Sequence, residues 1–189
     1  MDRKDEKKAL RKQIKEKIQK LSPEYCQEAD EKIFKHLVFL EEFQKADTIF
    51  CYVGTEREIN TKPILEHILS GGKRLGVPKC LTFGVMEVRE IRSLSDLVPG
   101  AYGILEPKET CPLISPEEIS FACVPCLTCT KDGVRLGYGG GFYDRYLSNM
   151  NCKKAVLCRK ALMTEYIPTE EQDISVDYVI SDESPRWIL

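Results

Sequence analysis

Hydrophobic positions along the chain follow two rhythms. Over residues 2–20 the apolar residues Leu10, Ile14, Ile18 and Leu21 are spaced four, four and three apart among lysines and glutamates, the narrow stripe of an amphipathic helix. Ser22-Pro23 restarts the chain, with serine suited to an N-cap and proline to a first helical turn. A second helix is predicted there, with Tyr25, Ala29, Ile33, Leu37 and Leu40 on one face. The run 48–53, Thr-Ile-Phe-Cys-Tyr-Val, lacks polar alternation and predicts a strand covered on both sides. Thr61 is placed to cap a third helix, with Pro63 in its first turn, Ile64, Leu65, Ile68 and Leu69 facing inward, and Gly71-Gly72 at its end.

Beyond this point strands dominate. Residues 74–81 and 85–93 read as strands, and 119–130 reads as a long apolar one. Between them, 97–110 carries Pro99, Gly100, Gly103 and Pro107 and reads as irregular. A glycine-rich loop leads into a helix over 142–150, and 155–158 and 178–181 are short late strands. Strands alternating with helices imply an α/β layered fold with a largely parallel sheet. No repeat, linker or low-complexity segment divides the chain, so residues 1–189 are expected to form one domain.

Composition narrows the chemistry. A chain of this size buries roughly 70% of its unfolded surface and needs no disulfide or metal to fold. Lys+Arg 28 against Asp+Glu 30 gives a net charge of −2, which argues against nucleic-acid binding by bulk charge. The nine cysteines are an odd number, and residues 1–20 have no apolar signal-peptide core, so the chain is expected in the cytoplasm with reduced thiols. No run approaches the ~18 apolar residues of a membrane span. Cys123, Cys126 and Cys129 have a C-x2-C-x2-C spacing of the kind that ligates zinc or iron–sulfur clusters. Against this, a continuous strand would put 123 and 129 on one face and 126 on the other, so buried core thiols are the favoured reading. His36 and His67 lie on predicted helices away from any motif and receive no role.

The most informative segment is Gly133-Val134-Arg135-Leu136-Gly137-Tyr138-Gly139-Gly140-Gly141-Phe142-Tyr143-Asp144-Arg145, between a predicted strand and a predicted helix. Glycines let a backbone approach a phosphate, helix N-termini offer free N–H donors, and guanidinium groups grip phosphate bidentately. Asp144 is a hard oxygen ligand for Mg²⁺ beside them. The loop has neither the Gly-x-Gly-x-x-Gly dinucleotide pattern nor the Gly-Lys-Ser/Thr ending of a P-loop.

This segment closely resembles the signature of the 5-formyltetrahydrofolate cyclo-ligases. Lys7-Lys8-Ala9-Leu10-Arg11, Glu58-Ile59-Asn60-Thr61 and Gly103-Ile104-Leu105-Glu106-Pro107 resemble, in order, that family's basic first helix, folate-binding segment and mid-chain turn. The chain departs from the family at Pro125-Cys126-Leu127-Thr128, where a Pro-Gly-Leu-Ala-like run is usual, and at Tyr102, where tryptophan is frequent.

The resemblance implies a three-layer α/β/α sandwich with a mostly parallel central sheet. It also implies Mg²⁺- and ATP-dependent conversion of 5-formyltetrahydrofolate to 5,10-methenyltetrahydrofolate with release of ADP and phosphate. On that basis Lys7, Lys8 and Arg11 contact ATP phosphates, and Arg135, Leu136, Gly137, Tyr138, Gly139, Gly140, Gly141, Phe142 and Tyr143 wrap them. Asp144, and more weakly Asp177, hold Mg²⁺. Val53, Glu58 and Tyr102 line the folate pocket, and Arg145 and Tyr143 are the catalytic candidates. The expected partner is the small-molecule folate, with no nucleic acid and no membrane, and the chain is expected to act as a monomer. Two rivals remain at this point: a non-catalytic nucleotide- or folate-binding regulator, and a metal module built on the spaced cysteines. Retention of both Asp144 and Arg145 weighs against the first.

Overall fold

A computed structural model of the protein describes residues 2–188. The two N-terminal helices form as their stripes predict, α1 (Arg3–Ile18) and α2 (Pro23–Val38). Ser22 Oγ accepts the Tyr25 amide at 3.1 Å, the N-cap bond the sequence called for. A five-residue helix α3 (Glu41–Lys45), too short to leave a period in the sequence, precedes strand β1 (Thr48–Cys51). Helix α4 (Lys62–Ser70) leads to the hairpin of β2 (Arg74–Thr82) and β3 (Val85–Ile91). Thr61 makes no capping bond; its Oγ1 instead accepts the Gly54 amide at 2.9 Å, closing the loop that follows β1.

Segment 97–110 is more regular than expected. Strands β4 (Leu97–Pro99) and β5 (Leu105–Pro107) pair antiparallel, and Tyr102 turns the chain between them at a φ of 57°. Short β6 (Leu113–Ile114) follows. The long strand predicted over 119–130 is broken at Pro125, which has no N–H to donate. Its first half is β7 (Phe121–Val124); the second, β8 (Thr128–Cys129), folds into a separate hairpin with β9 (Arg135–Leu136). Helix α5 (Phe142–Leu147) stops short of the predicted residue 150, and β10 (Lys153–Leu157), β11 (Tyr178–Ile180) and β12 (Pro185–Trp187) complete the fold.

Eight strands form one sheet in the order β12-β11-β10-β7-β1-β2-β3-β6. The central five, β11 to β2, run parallel, and the flanking strands pair antiparallel. Alternate residues of the central strands enter opposite cores. Ile49, Cys51, Phe121, Cys123, Ala155 and Leu157 pack with Ile33 and Leu37 of α2 and Ile64, Leu65 and Ile68 of α4. Phe50, Ala122, Val124, Val156 and Val179 face Ile14 of α1 and Leu147 of α5. Helices on both faces of one mixed, mostly parallel sheet explain why these strands read as unbroken apolar runs.

The connections reverse direction at the middle of the sheet. From β1 the chain crosses by α4 to β2 on one side; from β7 it crosses by α5 to β10 on the other. Such a switch point opens a crevice beyond the carboxyl ends of the two strands. Here the segments leaving those ends are 52–61 and 125–141, which contain the two motifs singled out above.

Candidate active site

The glycine loop joins β9 to α5. Gly139 and Gly141 adopt φ of 104° and 67°, left-handed values that strain any residue with a Cβ. Arg11 reaches across from α1, its Nε donating to the Gly137 carbonyl at 2.9 Å. Arg145 folds back from α5, its Nη1 donating to the carbonyls of Gly84 at 3.0 Å and Gly140 at 3.1 Å. With only six residues α5 has a weak helix dipole, so the positive charge at this loop comes from these guanidinium groups.

Arg135 is the buried member of the group. Its side chain is 2% exposed, and its Nη2 donates to Asp144 Oδ1 at 2.7 Å. The same carboxylate oxygen accepts the Ile174 amide at 3.2 Å, whereas Asp144 Oδ2 accepts no hydrogen bond from the described residues. Arg135 Nε is buried without a partner among the described residues, an orphan donor at the base of the loop. The guanidinium carbon lies 6.0 Å from the centroid of the Tyr143 ring, which also packs against Phe50.

Lys7 does not stand free beside the loop. It is buried, and its Nζ donates to Glu170 Oε2 at 2.8 Å and Asp173 Oδ2 at 2.6 Å, tying α1 to the segment before β11. Lys8 is exposed. Burial pulls the Lys7 ammonium's pKa down, but hydrogen bonds from it to the two carboxylates outweigh this and leave it raised. The bond from Lys7 holds the Glu170 carboxyl below its usual range. Signs then fix the window. A raised lysine stabilises fully below its unfolded pKa of about 10.4 and loses this as pH climbs through the folded value. A depressed glutamate stabilises fully above about 4.3 and loses this as pH falls through its folded value. The Tm difference between the protein and its Lys7→Met variant is therefore expected to be flat across neutral pH and to shrink below about pH 4. Thermal melts at stepped pH measure it; a difference unchanged in acid would contradict the assignment.

The other wall of the crevice is the loop after β1. Glu58 Oε2 accepts the amide and hydroxyl of Thr55, both at 2.9 Å, and the Glu58 carbonyl accepts Arg159 Nη2 at 2.9 Å. Tyr52, Tyr138 and Tyr143 gather around this carboxylate; burial raises each phenol's pKa and the Glu58 charge raises it further. Val53 is buried beside them. Tyr52, Glu58, Tyr138, Cys126, Cys158 and Arg159 line a cavity of about 20 Å³, room for roughly one water.

Tyr102 lies elsewhere. It is 68% exposed and meets the edge of Phe142 at 6.1 Å, with Phe83 on the same ring at 6.0 Å, so it joins the glycine-loop side. Asp177 sits where β10 and β11 begin, at the opposite end of those strands from the crevice. Its oxygens accept Lys153 Nζ at 3.0 Å and the Lys154 amide at 2.9 Å. No contact among the described residues joins it to Asp144.

Several participants escape a sequence reading. Arg159 holds the Glu58 loop while donating bidentately to Asp30 at 2.8 and 2.9 Å. Its one sequence signal is a position just past the carboxyl end of a strand. The cysteines also need correction. Because the strand ends before Pro125, Cys126 and Cys129 do not point apart; their sulfurs meet that of Cys158, all three within 4.8 Å of one another. Cys123 alone behaves as a plain core thiol, buried with Cys51 in the α2/α4 core. Hydrogen bonds from Cys126 and Cys129 push the Cys158 thiol well down from its ordinary pKa.

A doubly wound α/β sheet whose crevice opens at its switch point, with an arginine-flanked glycine loop on one wall, places the chain among the α/β folds that take their ligands at that point. The sequence profile of the 5-formyltetrahydrofolate cyclo-ligase family matches residues 3–182, and the chain belongs to that family. It is an enzyme of folate one-carbon metabolism that converts 5-formyltetrahydrofolate to 5,10-methenyltetrahydrofolate, and its use of ATP follows from the family. The 5-formyltetrahydrofolate cyclo-ligase of Haemophilus influenzae is 29% identical over 174 residues, covering 87% of this chain and 93% of that protein. The Mus musculus counterpart is 24% identical, covering 95% of each. The solved structure of 5,10-methenyltetrahydrofolate synthetase from Aquifex aeolicus matches with a TM-score of 0.85 at 30% identity, covering 96% of this chain and 92% of that one. Among the described residues no helix is long and apolar enough to cross a membrane.

Proposed function

We propose that the switch-point crevice divides its labour. ATP lies against α1 and the glycine loop, with its phosphates met by Arg11, Arg135, Arg145 and the loop amides. The folate lies against the Glu58 loop, where a carboxylate pairs with the pterin's amide and amino donors. The observation that carries this reading is the convergence of Arg11 and Arg145, from the first and last α-helices, on one five-residue loop. The orphan Arg135 Nε suits an anionic ligand as well. Lys8 and the loop residues Leu136, Gly137, Gly139, Gly140, Gly141 and Phe142 complete the phosphate side, with Tyr102 packed on Phe142 and Lys7 pinning α1 in place through Glu170 and Asp173; Val53, Tyr138 and Tyr143 complete the folate side.

Asp144, with one carboxylate oxygen held by Arg135 and the other uncommitted, fits as a ligand for Mg²⁺; Asp177, already bonded to Lys153 and Lys154, fits less well. When bound, the ion supplies charge neutralisation at the phosphates.

The formyl group is an amide, so its carbon is a poor electrophile and its oxygen a poor leaving group. The formyl oxygen attacks the γ-phosphorus, an O–P bond forms, and the bond to ADP breaks. N10 then attacks the activated carbon, the C–O bond breaks, phosphate departs with the former formyl oxygen, and N10 loses its proton. No protein nucleophile is needed; positioning and electrostatics carry the step. Arg145 steadies the transferring group, and Tyr143, its phenol held protonated by burial, offers a hydrogen bond.

Nine free thiols suit a reducing cytoplasm, where the chain acts as a monomer on a small-molecule substrate. With substrate carrying ¹⁸O in the formyl group, methenyl absorbance in the near ultraviolet is expected only with ATP and Mg²⁺ together, and the label is expected in inorganic phosphate. Label recovered in water instead would overturn the phosphorylation route.

A further inference from the structure

We propose that Cys126, Cys129 and Cys158 form a three-thiolate site for Zn²⁺, a metal centre apart from the phosphate side of the crevice. Their sulfurs lie within 4.8 Å of one another. Tetrahedral zinc with Zn–S bonds of about 2.3 Å holds its sulfurs roughly 3.8 Å apart, so side-chain adjustments of about an ångström or less close the site.

The three backbones are already fixed relative to one another. The first cysteine follows β7, which pairs in register with β10, the strand that ends just before Cys158. The Leu127 amide donates to Leu136 at 2.8 Å, the Thr164 amide to the Cys129 carbonyl at 3.1 Å, and the Cys158 amide to Ile180 at 3.0 Å. Sulfurs held by two separately anchored segments, 126–129 and the stretch just past β10, form a preorganised donor set rather than a chance contact on one loop.

Chemistry selects the ion. Thiolates favour soft and borderline metals over Mg²⁺ or Ca²⁺. Binding requires all three sulfurs as thiolates, and the buried complex keeps a charge of −1 with Zn²⁺ but −2 with Cu⁺, which costs more to desolvate. A fourth position is also provided: Cys126 and Cys158 line the cavity of about 20 Å³, enough for roughly one water. Three protein ligands with an open fourth position is an arrangement zinc accepts. Cys126, the half-buried member, gives the ion its way in.

The test reads metal binding itself and so is independent of where folate and ATP lie. Reduced, metal-free full-length protein is titrated with Co²⁺. One equivalent is expected to bind with thiolate-to-cobalt charge-transfer absorption, and one equivalent of Zn²⁺ is expected to abolish that absorption. Cys126→Ala, at a partly exposed position whose truncation leaves the core filled, is expected to weaken binding at least ~100-fold, more than the loss of an outer-shell partner costs. Cys152→Ala, at the far end of β10, is expected to bind as the parent does, and circular dichroism confirms that both variants fold. Absence of the charge-transfer band in the reduced parent protein, or unchanged titration in folded Cys126→Ala, would overturn the proposal.

Discussion

Arg145→Ala is expected to lower kcat by about 10²–10³-fold, the range seen when one preorganised donor to a developing charge is removed. Local stability cannot account for a loss of that size. The side chain is exposed and makes two hydrogen bonds to carbonyls of Gly84 and Gly140. Bonds of this kind contribute about 1 kcal/mol each at most times, so a Tm change of only a few degrees is expected for a chain of this length. Arg145→Lys keeps the charge but not the planar fork, and partial recovery is the expected outcome. Steady-state rates at saturating ATP and folate, with melts of each variant, separate the two effects. Activity within threefold of the parent would remove Arg145 from the proposed machinery.

The same residue shows what the sequence makes legible. Glycines flanked by arginines announced a loop between a strand and a helix, and the unbroken apolar runs before it announced strands covered on both faces. Both features are local, and both survive in the fold. Partners distant in sequence were out of reach. Lys7 meets carboxylates at 170 and 173, which no helical stripe can reveal, so the residue reads as a free cation when it is a buried ion-pair member. Pro125 was visible, yet its consequence was not: a strand interrupted there sends Cys126 and Cys129 toward a third cysteine supplied by a neighbouring strand. Strand order decides such meetings, and order is set by crossovers rather than by the pattern within a strand. Three-residue strands such as β4 and β5 carry too few positions to show a period at all.

Arg159→Met is expected to destabilise the protein by about 3–5 kcal/mol, the usual cost of removing one partner from a buried ion pair. The Arg159 side chain is 5% exposed and that of Asp30 is 12% exposed. Removing the guanidinium leaves the Asp30 carboxylate with the Asn60 amide at 2.9 Å as its remaining hydrogen-bond donor among the described residues, and strips the Glu58 carbonyl of its donor. At about 2–4 °C per kcal/mol for a chain of this size, the Tm is expected to fall by roughly 6–20 °C. The penalty belongs to the uncompensated charge more than to the lost attraction. The double variant Asp30→Leu/Arg159→Met should therefore be more stable than Arg159→Met alone, because it removes the stranded carboxylate as well. Urea titrations of the two singles and the double measure that coupling. A double variant no more stable than Arg159→Met would place the cost in lost packing of the arginine stem, and a Tm change under about 2 °C would mean that the pair does not hold the Glu58 loop in solution.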